Sequence, residues 1–177
     1  MSLKPPVTAR DHVQGSATAP VTLVEYGDYE CPHCGTVYPI IKQVQQHFGE
    51  ALRFAFRNFP LNQIHRHAEN AAEAAEAAAA GGKFWPMHDI IFEHQPALGD
   101  RDLVTYAEAV GVDSRVVAEA LAKHTYTARV KEDFDSGVRS GVNGTPTFFI
   151  NGARYDGAHD FAALRDALAE AGATARK

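Results

Sequence analysis

Val21-Thr22-Leu23-Val24-Glu25-Tyr26-Gly27-Asp28-Tyr29-Glu30-Cys31-Pro32-His33-Cys34 is the stretch on which the reading of this chain turns. From Val21 to Tyr26 the residues are nearly all β-favouring and lack clean alternation, the pattern of a central strand covered on both faces. Gly27 and Asp28 end that strand. Past Cys34, the residues Val37, Ile40, Ile41, Val44 and Phe48 recur at helical spacing until Gly49 stops the run. Leu52 to Phe59 then predicts a second strand, with Leu52, Phe54 and Phe56 alternating against Arg53, Ala55 and Arg57, ended by Pro60. Strand, helix and strand in this order make a βαβ unit, right-handed by default.

Between Leu61 and Gly141 no stretch predicts a strand. The alanine-rich run Ala68 to Ala80, carrying Glu69, Glu73 and Glu76 and ended by Gly81-Gly82, reads as a helix whose small residues allow close packing. Further helices are expected over Phe84–His94, Asp100–Val110, Ser114–Lys123 and Thr125–Ser140, with Gly111 and Asp113 as punctuation. Strand chemistry returns with Thr147-Phe148-Phe149-Ile150, the dipeptide Asn151-Gly152, and Ala153-Arg154-Tyr155-Asp156. That is a hairpin with a type I′ turn signal. A last helix starts near Asp160, a suitable N-cap, and runs through Phe161, Leu164 and Leu168 to Gly172.

Composition narrows the chemistry. The 177 residues are 45% hydrophobic and 22% charged, which argues against wholesale disorder and fibrous repeats. A net charge of −5 without a basic cluster disfavours nucleic acid or an anionic membrane surface as partner. No apolar run approaches the roughly 18 residues of a membrane-embedded helix. The start, Met1-Ser2-Leu3-Lys4-Pro5-Pro6, has no apolar core or small-residue cleavage site, so a cytoplasmic location is expected, or a periplasmic one if the start was trimmed. The only cysteines are Cys31 and Cys34. So short a spacing closes almost no loop and adds little stability as a staple. Metal binding or redox chemistry is left.

Cys31 sits where strand hands over to helix, facing backbone N–H groups and the positive end of the helix dipole, both of which favour a thiolate. The spacing puts Cys34 one turn into the helix, close enough to form a disulfide or to resolve a mixed one. His33, when protonated, adds positive charge beside the sulfurs and makes the disulfide more oxidising. Asp28 and Glu30 oppose this, but as flanking-loop charges screened by water they are expected to lose. A zinc site using His65 and His67 is the competing reading, although H-x-H lacks the spacing of a finger and no second C-x-x-C exists. His12, His47, His88, His94, His124 and His159 share no common spacing and read as surface or packing residues. The apolar residues Phe84, Trp85, Met87, Ile90, Ile91 and Phe92 exceed what one helix needs for its core face, so some are expected to border a shallow hydrophobic surface beside Cys31. Gly144-Thr145-Pro146-Thr147 stands just before a strand, where X–Pro bonds are cis in only about 5–6% of folded cases; taken with the strand-to-helix C-x-x-C earlier in the chain, it is expected to hold a cis Thr145–Pro146 bond.

Cys31-Pro32-His33-Cys34 after a strand, Pro39 inside the following helix, and Thr145-Pro146 opening a hairpin together resemble the thioredoxin superfamily. The helical block and the Cys-Pro-His-Cys tetrapeptide resemble its DsbA-like branch. So do Val21–Cys34, Phe84-Trp85-Pro86-Met87-His88-Asp89 and Gly141–Gly152, which are similar to single-domain bacterial oxidoreductases. A similar domain also occurs fused to some sodium/proton antiporters. The resemblance implies an α/β thioredoxin-like fold, βαβ then ββα on a mixed sheet, over residues 10–60 and 142–172, with residues 61–141 as an inserted helical domain. It implies Cys31 as exposed nucleophile, Cys34 as buried resolving thiol, and Pro32 and His33 as tuning residues. Pro146 would be the cis-proline, with Thr145 before it hydrogen-bonding substrate. Glu25 matches a buried acid that relays protons; taken alone it reads equally as an exposed strand-end carboxylate. One departure is Gly35-Thr36-Val37-Tyr38, which lacks the acid that periplasmic DsbA enzymes carry early in this helix.

The expected function is thiol–disulfide exchange with protein, peptide or small-thiol partners and an unidentified recycling reductase or oxidase. It needs no cofactor beyond the redox-active Cys31–Cys34 pair. The alternative is a redox-inactive or metal-holding thioredoxin-like binding module associated with a transporter.

Overall fold

The computed structural model describes residues 1–175. Five strands and seven helices follow one another among them. They are β1 (His12–Gln14), β2 (Val21–Gly27), α1 (Pro32–Phe48), β3 (Leu52–Asn58), α2 (Ala68–Ala79), α3 (Phe84–Glu93), α4 (Asp100–Ala109), α5 (Ser114–Lys123), α6 (Thr127–Ser140), β4 (Thr147–Ile150), β5 (Ala153–Tyr155) and α7 (Phe161–Ala175). The strands form one mixed sheet in the order β1-β3-β2-β4-β5. This is a thioredoxin-like arrangement, as the sequence predicts. β2 and β4 are antiparallel, with Leu23 opposite Ile150, Glu25 opposite Phe148 and Tyr26 opposite Thr147. All four residues of β4 and all but Thr22 of β2 are buried, which explains why neither strand alternates: both faces are covered. The β4–β5 hairpin turns at Asn151 (φ 47°) and Gly152 (φ 83°), the left-handed pair that a type I′ turn demands.

Two compact units emerge. One contains Met1–Gly27, Thr36–Arg57 and the chain from Ser136 onward, and so most of the sheet; the other contains Asp28–Gly35 and Asn58–Asp135. The cysteine-bearing segment thus groups with the helical block. Inside the helical unit, α2 packs its alanines (Ala71, Ala72, Ala74, Ala75, Ala77 and Ala78 are buried) against α3, α4 and α5. Small side chains let these axes approach closely. No helix among the described residues is long and apolar enough to cross a membrane.

Two local differences from the sequence reading have clear causes. β1, three residues long in a Pro- and Gly-rich stretch, is too short to show any periodicity, and pairing to β3 (Val13 opposite Ala55) makes it a strand. α6 begins at Thr127 rather than Thr125 because His124 adopts a left-handed conformation (φ 49°). The buried Glu73 carboxylate accepts from Tyr126 N–H (3.1 Å) and Thr127 Oγ1 (3.0 Å) and holds that break in place.

Arg57 of β3 is buried rather than solvent-facing. Its guanidinium donates to Asp11 Oδ1 (2.6 Å), Tyr26 Oη (2.8 Å) and the Pro5 carbonyl (3.1 Å), tying the N-terminal segment to the sheet. Burial alone would raise the Asp11 pKa. The Arg57 hydrogen bonds, the Thr8 N–H and the Arg57 charge outweigh it and hold that carboxyl below its ordinary value. A folded-state value below the unfolded one contributes stability that is complete above the unfolded pKa of about 4 and lost as pH falls through the folded value. Asp11→Asn should therefore lower stability at neutral pH and flatten the acid limb of the stability–pH curve. Urea unfolding across that range checks it, and an unchanged limb counts against the assignment.

Candidate active site

β2 ends at Gly27, and a single turn delivers the chain to α1. Cys31 N–H donates to the Asp28 carbonyl (3.1 Å), and the Cys31 carbonyl accepts from Gly35 N–H (3.1 Å), so Cys31 is the N-cap of α1. Cys34 lies within the first turn, where its Sγ accepts from Asp28 N–H at 3.5 Å. Pro32 and His33, between the two, are exposed. Cys34 is fully buried, as the resemblance implies, but Cys31 is only 3% exposed and corrects the expectation of an exposed nucleophile. The turn before it is drawn against the helical unit and takes Cys31 with it.

Three contacts do this. The Tyr29 ring packs on Phe92 (centroids 4.9 Å apart) and edge-on to His88, whose Nδ1 lies 3.1 Å from Tyr29 Oη. Gln95 Nε2 donates to the carbonyls of both Tyr29 and Cys31, each at 2.8 Å. Glu30 accepts from His67 N–H at 2.6 Å through Oε2. Neither Tyr29 nor Gln95 stood out in the sequence, because their partners lie about 60 residues away along the chain.

Asp28 requires a second correction. It is not a loop charge screened by water; its side chain is fully buried. Oδ1 accepts from Glu30 N–H (2.8 Å), while Oδ2 accepts from Leu61 N–H (2.8 Å) and lies 2.8 Å from His65 Nδ1. His65 and His67, weighed as zinc ligands, are engaged here through a ring nitrogen and a backbone N–H respectively. Among the described residues no three His, Cys, Asp or Glu side chains gather into a metal-holding group.

Of the six apolar residues expected to border a docking surface, Phe84, Met87, Ile91 and Phe92 are buried in the core of the helical unit. Trp85 and Ile90 are half-buried. α3 is thus more fully packed than one amphipathic face requires.

Glu25 is 3% exposed in the middle of the sheet, which removes the reading as an exposed strand-end carboxylate. The Thr145–Pro146 bond is cis. Pro146 is buried and immediately precedes Thr147, the residue opposite Tyr26 at the C-terminal end of β2. The structure therefore gathers Cys31, Pro32, His33 and Cys34 in one turn of helix, and Glu25, Thr145 and Pro146 along the β2–β4 strand pair.

The thioredoxin family's sequence model matches residues 8–170. Among curated relatives, a Na(+)/H(+) antiporter, NhaA 3 of Salinispora tropica, is 44% identical over 94% of this chain. The chain spans only 26% of that antiporter's length. Among solved structures, BdbD from Bacillus subtilis (oxidised) superposes with a TM-score of 0.87 at 26% identity, covering 95% of this chain and 96% of that one. A thioredoxin-like oxidoreductase from Silicibacter pomeroyi gives 0.81 at 25% identity, with 93% of each chain covered.

Proposed function

We propose, for a chain that belongs to the thioredoxin family, that it exchanges disulfides with protein or small-thiol substrates through Cys31 and Cys34. The observation that carries this reading is Cys31 at the N-cap of α1 with Cys34 in the same helical turn. A helix N-terminus favours the thiolate form, which is the attacking species. In one direction, the Cys31 thiolate attacks a substrate disulfide. A Cys31–substrate S–S bond forms, and the substrate's second sulfur leaves as a thiolate. Cys34, deprotonated, then attacks Cys31 Sγ, releasing the first substrate sulfur and leaving the Cys31–Cys34 disulfide. Two electrons pass from the pair to the substrate; the reverse sequence oxidises a dithiol. The likeness to a thioredoxin-like oxidoreductase supports the same chemistry. The proposal includes Glu25 as proton relay and Thr145 and Pro146 as the residues meeting an extended substrate chain, roles taken from the family resemblance.

The test is alkylation of the reduced protein by iodoacetamide at about pH 5, where an ordinary thiol is almost wholly protonated. A catalytic Cys31 reacts quickly under these conditions, and the protein reduces insulin in the presence of dithiothreitol. A slow, ordinary thiol that leaves insulin intact would falsify the reading. It would favour a transporter-associated module without redox activity, to which the antiporter relatives point.

His33 is exposed beside the pair, free of any core-packing role, so its effect should be electrostatic. His33→Ser removes an imidazole that, when protonated, favours the reduced form, so the disulfide becomes harder to reduce. The equilibrium constant with glutathione should move by a factor on the order of ten, equivalent to about 30 mV for a two-electron couple. Fluorescence or mass readout at fixed glutathione ratios checks it; an unchanged equilibrium sinks the idea.

A further inference from the structure

Gln95 follows α3 and reaches back to the cysteine turn with a single amide group. Its Nε2 carries two hydrogens, and both are used, one on the Tyr29 carbonyl and one on the Cys31 carbonyl. Two carbonyl acceptors at one end also settle which end of the amide is nitrogen. The oxygen end lies over Gly35, where an added Cβ would come within 2.0 Å of Gln95 Oε1 and 2.6 Å of Cδ. Gly35 is inside α1, a position where alanine is ordinarily the better helix former. A residue with no side chain is there because Gln95 occupies the space. Together with the bonds to Asp28 and Gly35, this leaves Cys31 held at its N–H, and doubly at its carbonyl.

We propose that Gln95 is a positioning residue: by clamping the Tyr29 and Cys31 carbonyls, it fixes the cap geometry that presents the Cys31 sulfur to the positive end of α1. Gly35 is the seat that makes the clamp possible. This rests on the exchange reaction proposed above and adds to it a residue that sets how reactive the nucleophile is. The physical link is direct. The benefit of a helix N-terminus to a thiolate falls off within the first turn, so a cap residue allowed to shift loses part of it. An unclamped pair of carbonyls also turns two partial negative charges loose beside a forming anion.

The experiment measures the rate of Cys31 alkylation by iodoacetamide against pH in the reduced full chain, with thermal unfolding recorded alongside. Gln95→Ala should move the midpoint of the profile upward, by about one pH unit, so that the rate at any pH well below the midpoint falls roughly tenfold. Gln95→Glu keeps the shape but aims a carboxylate at two carbonyl oxygens, and should move the midpoint further. Gly35→Ala, which displaces the Gln95 side chain without altering it, should reproduce the Gln95→Ala shift. In the double variant the two shifts should not add, and Gly35→Ala should now raise the unfolding midpoint, because the seat is vacant. If Gln95→Ala and Gln95→Glu superpose on the wild-type profile while wild type keeps its reactivity at acid pH, the proposal fails and the exchange reaction stands. A lowered unfolding midpoint alone would then mark Gln95 as purely structural. Should either Gln95 variant not fold, the Gly35→Ala profile decides, and an unshifted midpoint there overturns the proposal. A wild-type chain without reactivity at acid pH overturns both readings.

Discussion

Replacing Cys31 by serine should reduce disulfide exchange to the uncatalysed background, a loss of at least about three orders of magnitude, because a hydroxyl neither ionises near neutral pH nor forms an S–S bond. Serine is nearly isosteric, and its N–H and carbonyl can keep the bonds to Asp28 and Gly35, so far-UV circular dichroism should not change. Cys34→Ser should behave differently. Cys31 can still attack, but the resolving thiol is gone, so a protein–substrate mixed disulfide should accumulate and be visible by mass and on a non-reducing gel. The contrast tests the division of labour as well as the chemistry. Turnover of Cys31→Ser within tenfold of wild type, or equal trapping by both variants, would remove Cys31 from the role of nucleophile.

Asp28→Ala should cost about 3–5 kcal/mol of stability, the largest loss expected from any single change near the site. The carboxylate is fully buried and takes up two backbone N–H groups, of Glu30 and Leu61, and the His65 ring. Alanine satisfies none of them. These donors are half-buried, and wherever water does not replace the lost acceptor each bears a desolvation penalty of about 1–3 kcal/mol. Asp28→Asn should recover part of the loss, since its carbonyl oxygen can accept while its amide must face a donor. Guanidinium unfolding of the three proteins gives the ordering directly. A loss under about 1 kcal/mol for the alanine variant would show that water reaches these groups readily. The same variant should slow alkylation of Cys31. The turn that Asp28 anchors carries the carbonyl accepting from Cys31 N–H, so function and stability share one residue here.

By itself the sequence determined the order of every element except β1, and the place of the cysteine pair. A strand, a helix whose apolar stripe starts just past Cys34, a second strand, an alanine-rich helical block and an Asn-Gly hairpin were all legible. Each rests on neighbours along the chain: the 3.6-residue period, the alternation of a strand, or the left-handed dihedrals of a turn. Cys31 at a strand-to-helix junction was legible for the same reason. The tertiary structure alone decided which polar groups are buried and what satisfies them. Asp28 reads as a loop charge screened by water, and Glu25 equally as a buried acid or an exposed strand-end carboxylate; both are enclosed. Arg57 reads as the outward side of a strand, yet it is buried among Asp11, Tyr26 and the Pro5 carbonyl. Gln95 carries no local signal at all, because its partners, Tyr29 and Cys31, are more than 60 residues away. Periodicity records which face of an element is apolar. It carries no information about which distant donor meets which acceptor, and the surroundings of Cys31 are built from such pairings.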